Sequence, residues 1–437
     1  MKQIIFLTIA VFFLGANCFA QNESKFKTLK ENIAKSDVAI EHPKKGIDPK
    51  TWMDRGKLFR DAYGVNIDFL RFGLPTLEAK VVFKEPKKVV EEGANETYVY
   101  SQIKLHFEND GLKTWEILKT VTDKDELAEA VLAYQQATSL DTKGKNTKKI
   151  NEAYSLINGD LEQKFFNEFY GFKFKEAYKT ALQRLEVSQL MGIIDTTYYY
   201  YAGYAAMAQS EIDSSMWKNA IENYEKAVAL NYKEADEGQI YHYLYTSYII
   251  MGDSLKALGS AQRGFERYPG EERLMIDLIN YYLFRSQHQQ ALDYLDQAVA
   301  KDPQNENLLF AKGKTLEELG EREKSLAAYD AAIEANPNFF EPVFNKAVVF
   351  FNNAIKIIEE ANADIKMTPK QYDAEIDRAY EEFSKAIPLM ERAHEIKPSD
   401  TATMDTLSTL YYRLNSRNPN PEYEAKYKDM RIKLGKE

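Results

Sequence analysis

The sequence predicts an all-α fold in which helix-turn-helix units stack into a solenoid, with a small β-hairpin insert near the N-terminus. Three observations predict it. Proline and glycine number only 13 and 20 in 437 residues, and sparse punctuation favours helices over many short strands. Small and helix-ending residues recur at one period. Pro269, Pro303 and Pro337 are 34 residues apart, as are Gly252, Ser286 and Gly320; Ala257, Ala291 and Ser325; and Gly264, Ala298 and Ala332. One stretch departs from that rule: Val99, Ile103, Leu105 and Phe107 alternate with Tyr98, Tyr100, Gln102, Lys104 and His106, the period of a strand.

The first twenty residues read as a targeting segment. Lys2 supplies the positive start, and Ile4 to Leu14 is an apolar run too short to cross a bilayer core of ~30 Å. Small residues follow, and cleavage is expected after Ala20. The rival reading makes Cys18, the only cysteine, a lipidated N-terminus, although Asn17 stands where a small residue is expected. Cleavage after Ala20 leaves no thiol and so excludes disulfides, thiolate metal sites and cysteine nucleophiles. No later run of 18 apolar residues exists, so no integral span is expected. The expected address is export to the periplasm, with the inner face of the outer membrane as a finer possibility.

Residues 21–195 read as irregular helical repeats. Trp52, Gly56 and Phe59 have first-helix spacing; Ala130, Tyr134 and Ala137 have second-helix spacing. The β-insert, about residues 79–118, lies between them. Asn109-Asp110-Gly111 is a hairpin turn signal, Leu112–Leu118 the return strand, and Val81–Val90 a further strand weakened by Pro86.

Residues 196–414 read as the regular solenoid, with best units 238–271, 272–305 and 306–339. In the last, Leu309, Gly313 and Leu316 mark one helix, Gly320 a turn, and Ser325, Tyr329 and Ala332 the second helix, which stops before Pro337. Neither helix buries its apolar face alone, so units must stack. A weaker unit carries Gly203, Ala220, Tyr224 and Ala227. Another carries Ala347, Ala386, Met390, Ala393 and Pro398 around an insert at 353–380. Thr401–Leu414 reads as a further first helix, and 415–437 holds a closing helix from Pro421 to Leu434.

These columns resemble the tetratricopeptide repeat family, whose 34-residue units carry large residues at positions 4 and 11 and small ones at 8, 20 and 27. Tyr241, Leu244, Tyr248, Ala257, Gly264 and Pro269 fit one unit; Met275, Leu278, Tyr282, Ala291, Ala298 and Pro303 fit the next. There Ile279 replaces the small residue at position 8. The resemblance implies a right-handed α-solenoid whose first helices line a concave groove. Carried over by position, the groove offers Tyr200, Tyr204, His242, Ile276, Asn280, Phe284, Phe310, Lys314, Phe344 and Phe351. Family members that grip a peptide carboxylate place Lys at position 5 with Asn at position 9. Here Asn280 is present but Ile276 replaces the lysine, so an apolar peptide or partner helix suits the groove better. The rival for these side chains is packing against neighbouring helices.

Chemistry elsewhere is sparse. A net charge of −10 disfavours nucleic acid, and the Lys143, Lys145, Lys148 and Lys149 cluster reads as a solvated linker. Gly313-Lys314-Thr315 lacks the earlier glycine of a phosphate loop, since position 308 is Leu308. The five histidines, His42, His106, His242, His288 and His394, show no metal-ligand spacing. No cofactor is expected. The expected function is therefore a non-enzymatic exported scaffold for protein or peptide partners, including envelope assembly partners. The alternatives are a glycan or peptidoglycan binder using Tyr198 to Tyr201, and an enzyme with a site in the N-terminal insert.

Overall fold

The computed structural model describes residues 24–233 and 238–436. The expected targeting segment, the expected cleavage after Ala20 and Cys18 lie outside the described residues. The chain forms two compact bodies. Among the described residues, the N-terminal body holds 24–233 with Thr246–Gly252; the C-terminal body holds 238–245 with 253–436.

In the N-terminal body, helix α1 covers 24–41. It is followed by α2 (Pro49–Gly64), α3 (Thr76–Phe83), strands β1 (Lys88–Glu92), β2 (Asn95–Val99), β3 (Ile103–Glu108) and β4 (Gly111–Ile117), then α4 (Glu126–Leu140). Helices α5 (Thr147–Tyr170), α6 (Phe174–Leu190), α7 (Thr196–Gln209) and α8 (Met216–Ala229) complete it. Helix α9 (Gln239–Ile250) is divided between the bodies. Asp48, Asp125 and Asp195 cap α2, α4 and α7 by accepting backbone N–H bonds from Lys50, Ala128 and Tyr198, which satisfies first-turn donors.

The insert is larger than a hairpin. Its four strands form an antiparallel meander in the order β1-β2-β3-β4. Two expectations change. Val81–Phe83 end helix α3 rather than starting a strand; strand begins at Lys88, beyond Pro86. The alternating run from Tyr98 to Phe107 is two strands, because the chain turns at residues 100–102. Tyr98 therefore pairs with Leu105 on one buried face, where a single strand would have set them on opposite faces. The turn at Asn109-Asp110 has φ 50° and 65°, the left-handed pair that a two-residue hairpin requires.

Helices α2 and α4 close over this insert as one helix pair. A Cβ on Gly56 would lie 2.6 Å from the Tyr134 ring. The same relation recurs between Gly203 and Tyr224 in α7/α8. The inner face of the sheet joins α2, α4 and α5 in one core through Phe59, Leu105, Trp115, Leu127 and Ile157.

The C-terminal body contains α10 (Ser254–Arg267), α11 (Glu272–Phe284), α12 (His288–Lys301), α13 (Glu306–Glu318), α14 (Arg322–Ala335), α15 (Phe340–Ala363), α16 (Pro369–Ile396), α17 (Thr401–Arg417) and α18 (Pro421–Lys433). The pairs α11/α12, α13/α14, α15/α16 and α17/α18 each pack together, and each pair packs on the next. The turn residues Gly252, Ser286 and Gly320 all adopt left-handed backbone, with φ 79°, 54° and 77°. That shared conformation is why their column favours small residues.

Side-chain volume is traded across each pair at two repeat positions. Gly313 faces Tyr329 at 2.6 Å from a built Cβ. At the corresponding places stand Ile279 with Leu295, and Tyr245 with Ala261. Ile279 and Leu295 are buried in one cluster. The unexpected Ile279 thus fits because the usual ring opposite it is a leucine. The insert at 353–380 is no separate element. It lengthens both helices of one pair, and Ala354, Ile357 and Ala361 share a core with Ala379 and Phe383. Thr368 and Gln371 form a reciprocal capping box at the start of α16.

Candidate functional site

First helices carry the expected groove residues, and the structure sorts them into two groups. Tyr200 is buried, with its ring stacked on Tyr232 at 5.0 Å and near-parallel to Tyr204 at 6.3 Å. Tyr204 also meets Phe169 at 5.3 Å. Phe310 is half-buried against Phe339 and Tyr329, at 5.5 and 6.1 Å between ring centres. Phe344 stacks on Phe340 at 5.5 Å, and Phe351 lies 5.5 Å from Phe383. These aromatic side chains spend much of their surface on packing.

The second group faces outward. Ile276, Asn280 and Phe284 are exposed along α11, and their spacing of four puts them on one stripe. Phe284 is 90% exposed. Lys314 is exposed on α13.

His242 has a definite partner. Its Nδ1 lies 2.7 Å from Asp277 Oδ2. Burial pushes the Asp277 carboxyl above the usual range, against the opposing pull of His242. The imidazole is therefore tied to α11 rather than presented to a ligand. Below Phe310, burial and a 2.7 Å hydrogen bond to Glu317 raise the Tyr329 phenol well above its ordinary value.

Sequence reasoning missed the ion pairs that join successive repeats. Lys312 meets Asp296 at 2.7 Å, and Lys346 pairs with Asp330. Both partners recur at 34-residue spacing, so the signal was present in the columns. It also missed Asn167, whose side chain accepts from the Trp115 N–H at 2.8 Å and donates to its carbonyl at 3.0 Å. That pair covers part of the open edge of β4. The tyrosine run divides as helix geometry requires, with Tyr198 and Tyr200 buried and Tyr199 and Tyr201 half-buried.

No group of three or more His, Cys, Asp or Glu among the described residues is arranged to hold a metal ion. No helix among them is long and apolar enough to cross a membrane.

Stacked helix pairs that recur every 34 residues, with Gly313 beneath Tyr329 at one crossing, define a tetratricopeptide-type repeat fold. Residues 285–346 match the family model for the tetratricopeptide repeat, and the family resemblance drawn from the spacing holds there. No curated protein matches the sequence. Among solved structures, the C-terminal part of a TPR repeat-containing protein from Cytophaga hutchinsonii is 13% identical. It covers 61% of this chain and 91% of its own, with a TM-score of 0.44. YrrB, titled a TPR protein with an unusual peptide-binding site, is 21% identical and covers 46% and 97%, with a TM-score of 0.34. MamA from Desulfovibrio magneticus RS-1 is 13% identical and covers 45% and 95%, with a TM-score of 0.32. Similarity at this level leaves the fold assignment to the packing of this chain itself.

Proposed function

We propose that the chain is a non-enzymatic scaffold that binds an apolar segment of a protein or peptide partner on the first-helix face of its C-terminal body. The observation that carries this reading is the outward stripe Ile276, Asn280 and Phe284 on α11. A phenylalanine that is 90% exposed on a packed helix gives up the ~1.5–3 kcal/mol its burial would contribute. A partner that covers it recovers that contribution. Asn280 and Lys314 would fix register at the rim, and half-buried Phe310 and Phe344 would form the floor. An amphipathic partner helix, anchored every third or fourth residue, suits such a row.

Export is part of the proposal. The short apolar run after Lys2 and the small residues to Ala20 support cleavage and an extracytoplasmic address, where envelope assembly partners are the natural clients. N-terminal sequencing of the protein from its native cells tests this, and a chain that retains Met1 overturns it.

Binding is tested by a photocrosslinking residue at position 284 in intact cells. The expected result is one discrete adduct, lost on Ile276→Ala, with unchanged thermal unfolding. Absence of any protein adduct, or adducts indifferent to Ile276→Ala, overturns the reading.

A further inference from the structure

The N-terminal body carries a second feature, which does not depend on the α11 stripe. Where β3 and β4 meet the turn from α5 to α6, a cleft of about 270 Å³ is lined by His106, Lys113, Glu116, Tyr170, Phe172 and Lys173, among others.

The backbone there breaks a local rule. Helix α5 ends with the Phe172 N–H donating to the Phe169 carbonyl at 3.1 Å and the Lys173 N–H to the Glu168 carbonyl at 2.8 Å. The left-handed residue of this turn is Phe172, with φ 57°, although Gly171 stands one place earlier. Comparable turns use Gly192, Asn231, Gly252, Ser286 or Gly320. A bulky side chain is disfavoured in this conformation because its Cβ crowds the backbone. Burial gives little in return, since Phe172 is 75% exposed, and its ring meets Phe174 edge-on at 6.0 Å. Strain that packing does not explain marks a functional constraint. Tyr170, 45% exposed, extends the aromatic wall.

The charges leave one cation without a close ion pair. Glu116 pairs with Lys104 at 3.2 Å, and His106 Nε2 lies 3.6 Å from its other oxygen. Burial holds His106 below the ordinary imidazole range, against the opposing pull of Glu116. Lys113 meets Glu108 at 2.9 Å in an exposed pair, which exchanges cheaply. Lys173 has no ion pair within 4 Å among the described residues, and its charge acts on Glu116, helping against burial to hold that carboxyl below its ordinary range. The Asn167 amide is committed to the Trp115 backbone. Few neutral hydrogen-bonding groups remain, chiefly the Thr114 hydroxyl and the Tyr170 phenol. A sugar would need more of them; a ring bearing one negative charge would not.

We propose that this cleft binds a carboxylate carried on an aromatic body, with the ring against Phe172 and Tyr170 and the carboxylate on Lys173 and Lys113. The source is either a free aryl acid or a peptide chain ending in an aromatic residue; both present the same group.

The test titrates the full chain with N-acetylphenylalanine, its neutral amide, and a short glycine–serine peptide ending in phenylalanine, by calorimetry. The acid is expected to bind and the amide to bind about tenfold more weakly, as loss of one charged hydrogen bond implies. Lys173→Gln should weaken the acid by about the same factor. Phe172→Gly should raise the thermal midpoint, because glycine adopts this backbone freely, and abolish binding. A peptide that binds more tightly than the acid identifies a chain terminus as the ligand; equal affinity identifies the free acid. Equal binding of acid and amide, no binding of either, or Phe172→Gly with a lowered midpoint or unchanged affinity overturns the proposal.

Discussion

Two helix pairs in this molecule make the same crossing by different routes. In the C-terminal body, α13 and α14 are joined by residues 319–321, and Gly313 lies beneath Tyr329. In the N-terminal body, α2 and α4 are separated by residues 65–125, which hold α3 and a four-stranded sheet, yet Gly56 lies beneath Tyr134 at the same built distance of 2.6 Å. The small-beneath-large fit sets the crossing, and the length of the connection does not. Loop-closure entropy rises only with the logarithm of length. The insert also supplies its own hydrogen-bonded sheet and joins the core of the pair it interrupts.

The strongest way to break this equivalence is to remove the ring. Tyr329→Ala and Tyr134→Ala should each cost about 3–5 kcal/mol in denaturant unfolding. Equal losses support one shared crossing; a loss confined to Tyr329→Ala would show that the split pair is held by its sheet instead. Overfilling the crossing comes next. Gly313→Ala and Gly56→Ala should each cost about 1–3 kcal/mol, because the added methyl meets a buried ring, and the α2/α4 and α13/α14 amides should exchange faster.

A third substitution probes only the N-terminal body. Asn167→Ala removes two hydrogen bonds from the β4 edge and should cost about 1–2 kcal/mol, read as faster hydrogen exchange at the Trp115 amide with α13/α14 unchanged.

Acidity should separate α16 from α5. Burial acts to raise the Glu382 carboxyl, but hydrogen bonds from Lys385 and Asn353 and the charge of Arg322 outweigh it and hold the group below its ordinary range. Glu391 is likewise held down by Lys426 and Tyr411 against burial. In the N-terminal body burial dominates at Glu126 and Glu168, which lie above the ordinary range, while Asp125 at the start of α4 is held below it, against burial, by Lys164 and the Ala128 N–H. A depressed folded value gives stability that is present at neutral pH and lost as pH falls through it; a raised value gives stability gained on protonation. Hydrogen exchange at pH 7 and below pH 4.5 should therefore show α16 loosening relative to α5, where Glu168 is raised. The smallest expected effect is Phe284→Ala, which should change stability by no more than about 0.5 kcal/mol while reducing partner capture.

The regular repeats were legible because their constraints are local. Pro269, Pro303 and Pro337 end helices, and Gly252, Ser286 and Gly320 occupy left-handed turns. The Asn109-Asp110 hairpin was legible for the same reason. Ile279 looked like a defect because its compensation, Leu295, lies on the other helix of the pair. The candidate binding face was only partly legible. Position numbers gave Ile276, Asn280 and Phe284, which are exposed, but also Tyr200, which is buried in a stack with Tyr232. Repeat position fixes the direction in which a side chain leaves its helix, and does not report what stands in front of it.

From composition and spacing alone follow the helical class, the 34-residue unit and the place where strands interrupt it, since these depend on backbone preferences and on apolar stripes read within one helix or one turn. Folding in three dimensions adds that Tyr98 and Leu105 share a face, that Asn167 closes the edge of β4, that His242 is tied to Asp277, and that the segment at 353–380 lengthens two helices. Each of these rests on a contact between residues distant in sequence or on a one-residue shift of strand register, and hydrophobic patterning along a chain carries no information about which distant partner fills a given space.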